Sequence, residues 1–127
     1  MIKEITIREG STDYIDFQLF SGENPPSLQG NQDIDLILQD VNGDITRFSV
    51  GDGKLFITDL TLAKLQLRPS LTDFYHSKSP YKGYFWVYYS PTKRGAFPEK
   101  GTITINVSAG LIFPGETYLA IGAKFGA

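Results

Sequence analysis

The 127-residue chain has no cysteine, one histidine, one tryptophan and one methionine, and no long apolar run. The missing thiols exclude disulfides, thiolate zinc sites, iron–sulfur clusters and cysteine nucleophiles together. An excess of either charge is also lacking. Twelve Lys and Arg against 14 Asp and Glu leave a formal net charge of −2, with the basic residues dispersed. Binding nucleic acid through its phosphates needs clustered basic residues, and the sequence offers no such stripe. Apolar stretches reach only about four to six residues, far short of the roughly 20 that a membrane-spanning helix needs. The opening Met1-Ile2-Lys3-Glu4-Ile5-Thr6-Ile7 alternates apolar with polar residues and lacks the apolar block of a secretory leader. The expectation is a cytoplasmically made protein.

What the sequence has in abundance is period two. Ile5 and Ile7, then Ile15, Phe17 and Leu19, then Ile34, Leu36 and Leu38, and finally Ile103, Ile105 and Val107 each alternate with polar neighbours. Such runs are strands with one face toward a core and one toward water, as in antiparallel sheets. Turn residues fall between them. Asn42-Gly43 is a strong hairpin signal, Asp52-Gly53 marks a second tight turn, and Gly22 to Gly30 with its two prolines reads as a loop. The length suits one domain that buries roughly two-thirds of its unfolded surface. The spacing therefore predicts an all-β, antiparallel two-sheet sandwich over residues 1–127 with at most one short helical turn. That turn is expected to be capped by Thr58 or Asp59 and to run through Lys64, ahead of a strand ending before Pro69. Residues 108–127 form a C-terminal tail that pairs either within the domain or with a neighbouring subunit.

Catalytic constellations fail one after another. His76 lies in the loop-like stretch Pro69–Pro80 with no nucleophile elbow anywhere to serve it. Ser90-Pro91-Thr92-Lys93 has the spacing of a serine–lysine pair, but Pro91 and the following Arg94-Gly95 describe a loop rather than the helix that pairing needs. Asp40, Asn42 and Asp44 resemble the start of a calcium loop, yet its sixth and twelfth places hold Ile45 and Gly51. No enzymatic activity, cofactor or metal is expected.

The aromatic run Tyr81-Lys82-Gly83-Tyr84-Phe85-Trp86-Val87-Tyr88-Tyr89 carries the functional interest. On a strand Tyr84, Trp86 and Tyr88 share one face, while Phe85, Val87 and Tyr89 share the other. Such a strand is central to its sheet, or its outer face meets a partner protein, or its rings stack on a carbohydrate. Ser90 to Gly101 follows as a long loop with Lys93, Arg94, Phe97 and Lys100. Interface candidates are Trp86 and Tyr88 on the strand, Lys93, Arg94 and Phe97 in the loop, and Tyr118, Ile121 and Phe125 in the tail.

Several motifs in order resemble a known family. They are Gly10-Ser11-Thr12-Asp13-Tyr14-Ile15-Asp16-Phe17-Gln18-Leu19, the strand Ile34–Asp40 running into Asn42-Gly43, the glycine-led Gly83-Tyr84-Phe85-Trp86-Val87, and the closing Gly101-Thr102-Ile103-Thr104-Ile105-Asn106-Val107. Over roughly residues 2 to 107 the chain resembles the N-terminal domain of upper baseplate proteins from tailed phages of Gram-positive bacteria. The resemblance implies an immunoglobulin-like sandwich that is anchored in the virion, helps connect the tail to host-recognition proteins and has no catalytic residues. Surface burial between repeated copies makes a homo-oligomer, with other virion proteins as partners, the expectation. Two alternatives stay open: a capsid decoration or tail accessory protein, and a carbohydrate-binding module that meets a cell-surface glycan through strand 84–89.

Overall fold

The structure, a computed structural model, describes residues 4–30 and 32–110. Among the described residues nine strands run in chain order: β1 Glu4–Arg8, β2 Ile15–Gln18, β3 Asp33–Gln39, β4 Ile45–Ser49, β5 Leu55–Asp59, β6 Lys64–Leu67, β7 Tyr81–Ser90, β8 Lys93–Phe97 and β9 Ile103–Ser108. They form two sheets. The larger has six strands in the order β1-β9-β7-β3-β4, with β8 also pairing β7; the smaller has the order β2-β6-β5. The fold is therefore the all-β sandwich that period two predicts. One pair departs from the antiparallel rule, since β1 runs parallel to β9, with Ile5 opposite Ile105 and Ile7 opposite Val107.

The core lies between the sheets. The six-stranded sheet sends in Ile34, Leu36, Leu38, Phe85, Val87, Ile103 and Ile105, and the smaller sheet answers with Ile15, Leu55, Leu65 and Leu67. Each such side chain is worth about 1.5–3 kcal/mol when fully buried. Phe17 meets Phe85 edge-on across the gap, ring centroids 5.1 Å apart. The segment between β6 and β7 closes one side with Phe74, whose ring stands 5.0 Å from Tyr81 and 5.9 Å from Phe48. Tyr81 is buried but not orphaned, because its hydroxyl oxygen accepts the Tyr75 N–H at 3.0 Å.

Two local expectations need correction. The residues after Thr58 make no helical turn: β5 continues to Asp59, and the chain reverses into β6 through Ala63, which takes a positive φ of 51°. Asp59 Oδ1 accepts the Leu62 N–H at 2.8 Å, so a side chain stabilises the hairpin that β pairing imposes. The short 3-10 turn occurs instead at His76–Lys78. Ser90 to Gly101 is not one long loop, because Lys93–Phe97 is strand β8. Strand β9 pairs β7 only at Tyr81–Gly83, which leaves the far half of that edge open. β8 fills it, pairing Phe85 with Phe97 and Tyr88 with Arg94. Backbone donors and acceptors in the middle of a sheet must be satisfied, and this hairpin does so.

The turns read from sequence stand where expected. Asp40 is buried, and its Oδ1 accepts the N–H groups of Asn42 at 2.8 Å and Asp44 at 3.1 Å, so the acidic cluster shapes the β3–β4 hairpin. In the next turn Asp52 accepts backbone N–H groups of Ser49, Lys54 and Leu55. Partial burial pushes the Asp52 carboxyl up, but these three donors and the Lys54 charge outweigh it and hold the pKa below the usual value of 3.8.

Candidate functional site on the outer face of the six-stranded sheet

Strand β7 is the axis of this face. Tyr81, Phe85 and Val87 point into the core, which leaves Lys82, Tyr84, Trp86 and Tyr88 on the other side. Register decides their neighbours. Asp35 lies opposite Trp86, Ile37 opposite Tyr84 and Asp33 opposite Tyr88. On the next strand Ser49 faces Asp35 and Arg47 faces Ile37. On the other flank Ala96 faces Trp86 and Arg94 faces Tyr88.

The small side chain of Ala96 leaves the indole uncovered on that flank, and Arg94 reaches over it. Its guanidinium carbon stands 3.9 Å from the Trp86 ring centroid and 6.0 Å from that of Tyr88. Stacking of this kind is worth about 0.5–1 kcal/mol at an exposed site. Tyr84 meets Trp86 edge-on, with centroids 5.2 Å apart and planes at 90°. The three aromatic side chains are thus no flat platform, and the Trp86 face carries a cation.

Asp35 organises the other half of the face. Its Oδ1 accepts Ser49 Oγ at 2.6 Å and its Oδ2 accepts the Tyr88 hydroxyl at 3.1 Å, while Arg47 Nε stands 3.8 Å away. The Arg47 side chain is largely exposed, so that ion pair contributes little, and the two hydroxyl donors fix the carboxylate. Tyr88 is held from behind as well, because Gln32 Nε2 donates to its carbonyl oxygen at 2.6 Å.

The structure brings together three of the eight residues proposed from sequence. Trp86 and Tyr88 lie half-buried on the outer face, and Arg94 joins them from β8, with exposed Lys93 at its start. Phe97 does not belong to the site. It points inward from β8, is buried, and lies opposite Phe85 in the core. Tyr118, Ile121 and Phe125 lie outside the described residues. Sequence reasoning missed Asp33, Asp35, Arg47 and Ser49. The alternation of Asp33 and Asp35 with Ile34 and Leu36 marks them as outward-facing, but only the pairing register puts them beside the aromatic rings.

The rejected chemistry is accounted for in place. Ser90 pairs with Lys93 across the β7–β8 turn, so their spacing is that of a hairpin, not a helix. His76 is exposed, and its Nδ1 lies 2.7 Å from the Val107 carbonyl oxygen, a contact that ties the 3-10 turn to β9. No protein-family model, curated protein or solved structure matches this chain.

Proposed function

We propose that this chain is a non-enzymatic structural protein of a phage virion, a tail or baseplate component synthesised in the host cytoplasm, which assembles with copies of itself and with other virion proteins. The observation that carries the assembly reading is the outer face of β7, where Trp86, Tyr84, Tyr88 and Arg94 form one half-exposed cluster at the centre of the largest sheet. Trp, Tyr and Arg dominate the energetics of protein interfaces, where their large rigid groups are desolvated at small entropic cost. A central strand that is aromatic on both faces has spent side chains beyond what its own core needs, and a second protein surface is the natural cover. The virion assignment rests on the resemblance of residues 2 to 107 to the upper baseplate domain.

The ring arrangement favours a protein over a sugar on this part of the face. A saccharide stacks on an open aromatic ring, whereas Trp86 carries Arg94 on its face and Tyr84 at its edge. Cross-linking of intact, purified particles tests the reading. Lys82 and Lys93 lie on or beside the outer face, and Lys64 lies on the opposite sheet. Amine cross-links from Lys82 and Lys93 to a second subunit are expected. Absence of the chain from particles, or intersubunit links from Lys64 alone, contradicts the proposal.

A further inference from the structure

Beyond the aromatic cluster, the end of the outer face where β3 begins and β7 ends is hollowed into a groove. Two depressions, of about 450 Å3 and 290 Å3, adjoin there and share Asp33 and Tyr88 as their common wall. The larger is walled by Gln29 and Gln32 from the loop before β3 and by Tyr89 and Ser90 from the end of β7. Its volume lies in the range of small-molecule sites, about 300–1,000 Å3. The smaller runs on past Asp35 and Ser49.

We propose that this groove binds a short, neutral oligosaccharide. Its polar groups alternate in kind. Asp33 offers two acceptor oxygens and is exposed, and among the described residues no hydrogen bond engages its carboxylate. Gln29 adds an amide that donates and accepts, and Ser90 adds a hydroxyl whose oxygen already accepts the Thr92 N–H at 3.3 Å and whose O–H can donate. Adjacent sugar hydroxyls, each both donor and acceptor, match such a set. Tyr89, near the end of β7, also lines the groove and is 53% exposed, although Phe85 and Val87 before it on the strand are buried. It owes its place to Gly95: a Cβ there would lie only 3.3 Å from Tyr89 Cε2 and 3.4 Å from its hydroxyl oxygen.

The groove is also held in shape before any ligand arrives. Gln32 uses both ends of its amide on the protein, with Oε1 accepting the Gln29 N–H at 3.2 Å and Nε2 donating to the Tyr88 carbonyl at 2.6 Å. The Tyr88 hydroxyl is committed to Asp35. A pre-ordered site loses little entropy on binding. Charge sets the class of sugar. With Asp33 and Asp35 both on this wall, an acidic polysaccharide meets like charge, so a neutral one is favoured.

The site does not depend on the assembly reading, since its ligand-facing groups are Asp33, Gln29, Ser90 and Tyr89 rather than Trp86 and Arg94. The test is a titration of the full 15N-labelled chain by NMR. The probes are neutral tetrasaccharides of glucose, galactose, rhamnose and N-acetylglucosamine, a uronic-acid tetrasaccharide, and a tetralysine peptide. At least one neutral sugar is expected to move the Gln32 and Ser90 amides saturably while leaving Lys64 in place. Asp33→Ala, at an exposed position, is expected to weaken that binding about tenfold or more, the effect of losing a hydrogen bond to a charged group. Tyr89→Ala is expected to weaken it as well, and Lys64→Ala, on the opposite sheet, to leave it unchanged. The proposal is overturned if no neutral sugar shifts these amides at ~10 mM, beyond the weakest useful affinity. Equal binding by Asp33→Ala, equal binding of the acidic sugar, or binding of tetralysine alone overturns it too.

Discussion

The two faces of β7 are built from the same residue types and do different work. Inward, Tyr81, Phe85 and Val87 are no more than 1% exposed, packed in the core, with the Tyr81 hydroxyl accepting one backbone N–H. Outward, Tyr84, Trp86 and Tyr88 are half-buried and are surrounded by charge: Arg94 over the indole, Asp35 on the phenol, Arg47 beyond it. A core tolerates no group whose hydrogen bonds go unmet, so its aromatic residues are mute toward solvent. The outer rings keep their polar partners within reach of water, where a second molecule can displace or join them. Aromatic content alone therefore says little about role. The neighbours that register supplies decide it.

That contrast predicts a graded set of effects. The largest belongs to the inner face. Phe85→Ala leaves a void facing Phe17 and is expected to lower stability by about 3–5 kcal/mol, read from the urea midpoint. Gly83→Ala comes next. A Cβ at this position would fall on the Ile37 carbonyl of the adjoining strand, which a flexible side chain cannot relieve. The expected loss is about 3 kcal/mol, against less than ~1 kcal/mol for Gly95→Ala, where only the Tyr89 ring must move. Trp86→Ala, on the outer face, loses one edge-on ring contact and the Arg94 stack. About 1–2 kcal/mol is expected, with the fold intact by circular dichroism. An outer-face loss equal to that of Phe85→Ala would break the comparison.

The smallest effect is in pH. Burial, above all, raises the Tyr81 pKa over its ordinary 10.0, with the charges of Asp40, Tyr75 and Glu9 adding to it and the Tyr75 N–H opposing. A folded pKa above the unfolded one means stability that is full below about pH 10 and is lost as pH rises through the folded value. Thermal unfolding followed through this alkaline range should show the decline, and Tyr81→Phe should flatten it. At the acid end Asp52 acts in the opposite sense. Its lowered pKa contributes stability above about pH 3.8 that disappears as pH falls through the folded value.

Most of the sandwich was legible because a half-buried strand must alternate, and Ile34-Asp35-Leu36 or Ile103-Thr104-Ile105 can hardly do anything else. What was not legible was set by pairing at a distance. Lys93-Arg94-Gly95 has little strand character, yet it becomes strand because the unpaired half of the β7 edge requires a partner. The same register turns Phe97 inward and leaves Arg94 over Trp86, which divides a segment that had been read as one contact loop. Leu60 and Leu62 fall in the stretch read as a helical turn capped by Thr58 or Asp59. They are exposed turn residues, because β5 and β6 pair with each other and the chain must reverse between them. Within the site, the strand that carries the aromatic residues was readable, and the Asp35 network that orients Tyr88 was not, since Asp35 lies 53 residues away from Tyr88 in sequence.

The most direct measurement is solution mass by light scattering over a concentration series, on the full chain and on the Trp86→Ala, Arg94→Ala double variant. The full chain is expected to reach a discrete multiple of its monomer mass, and the folded double variant to stay monomeric. Equal masses for the two chains at every concentration would contradict the claim that the outer face of β7 is the surface through which this protein assembles.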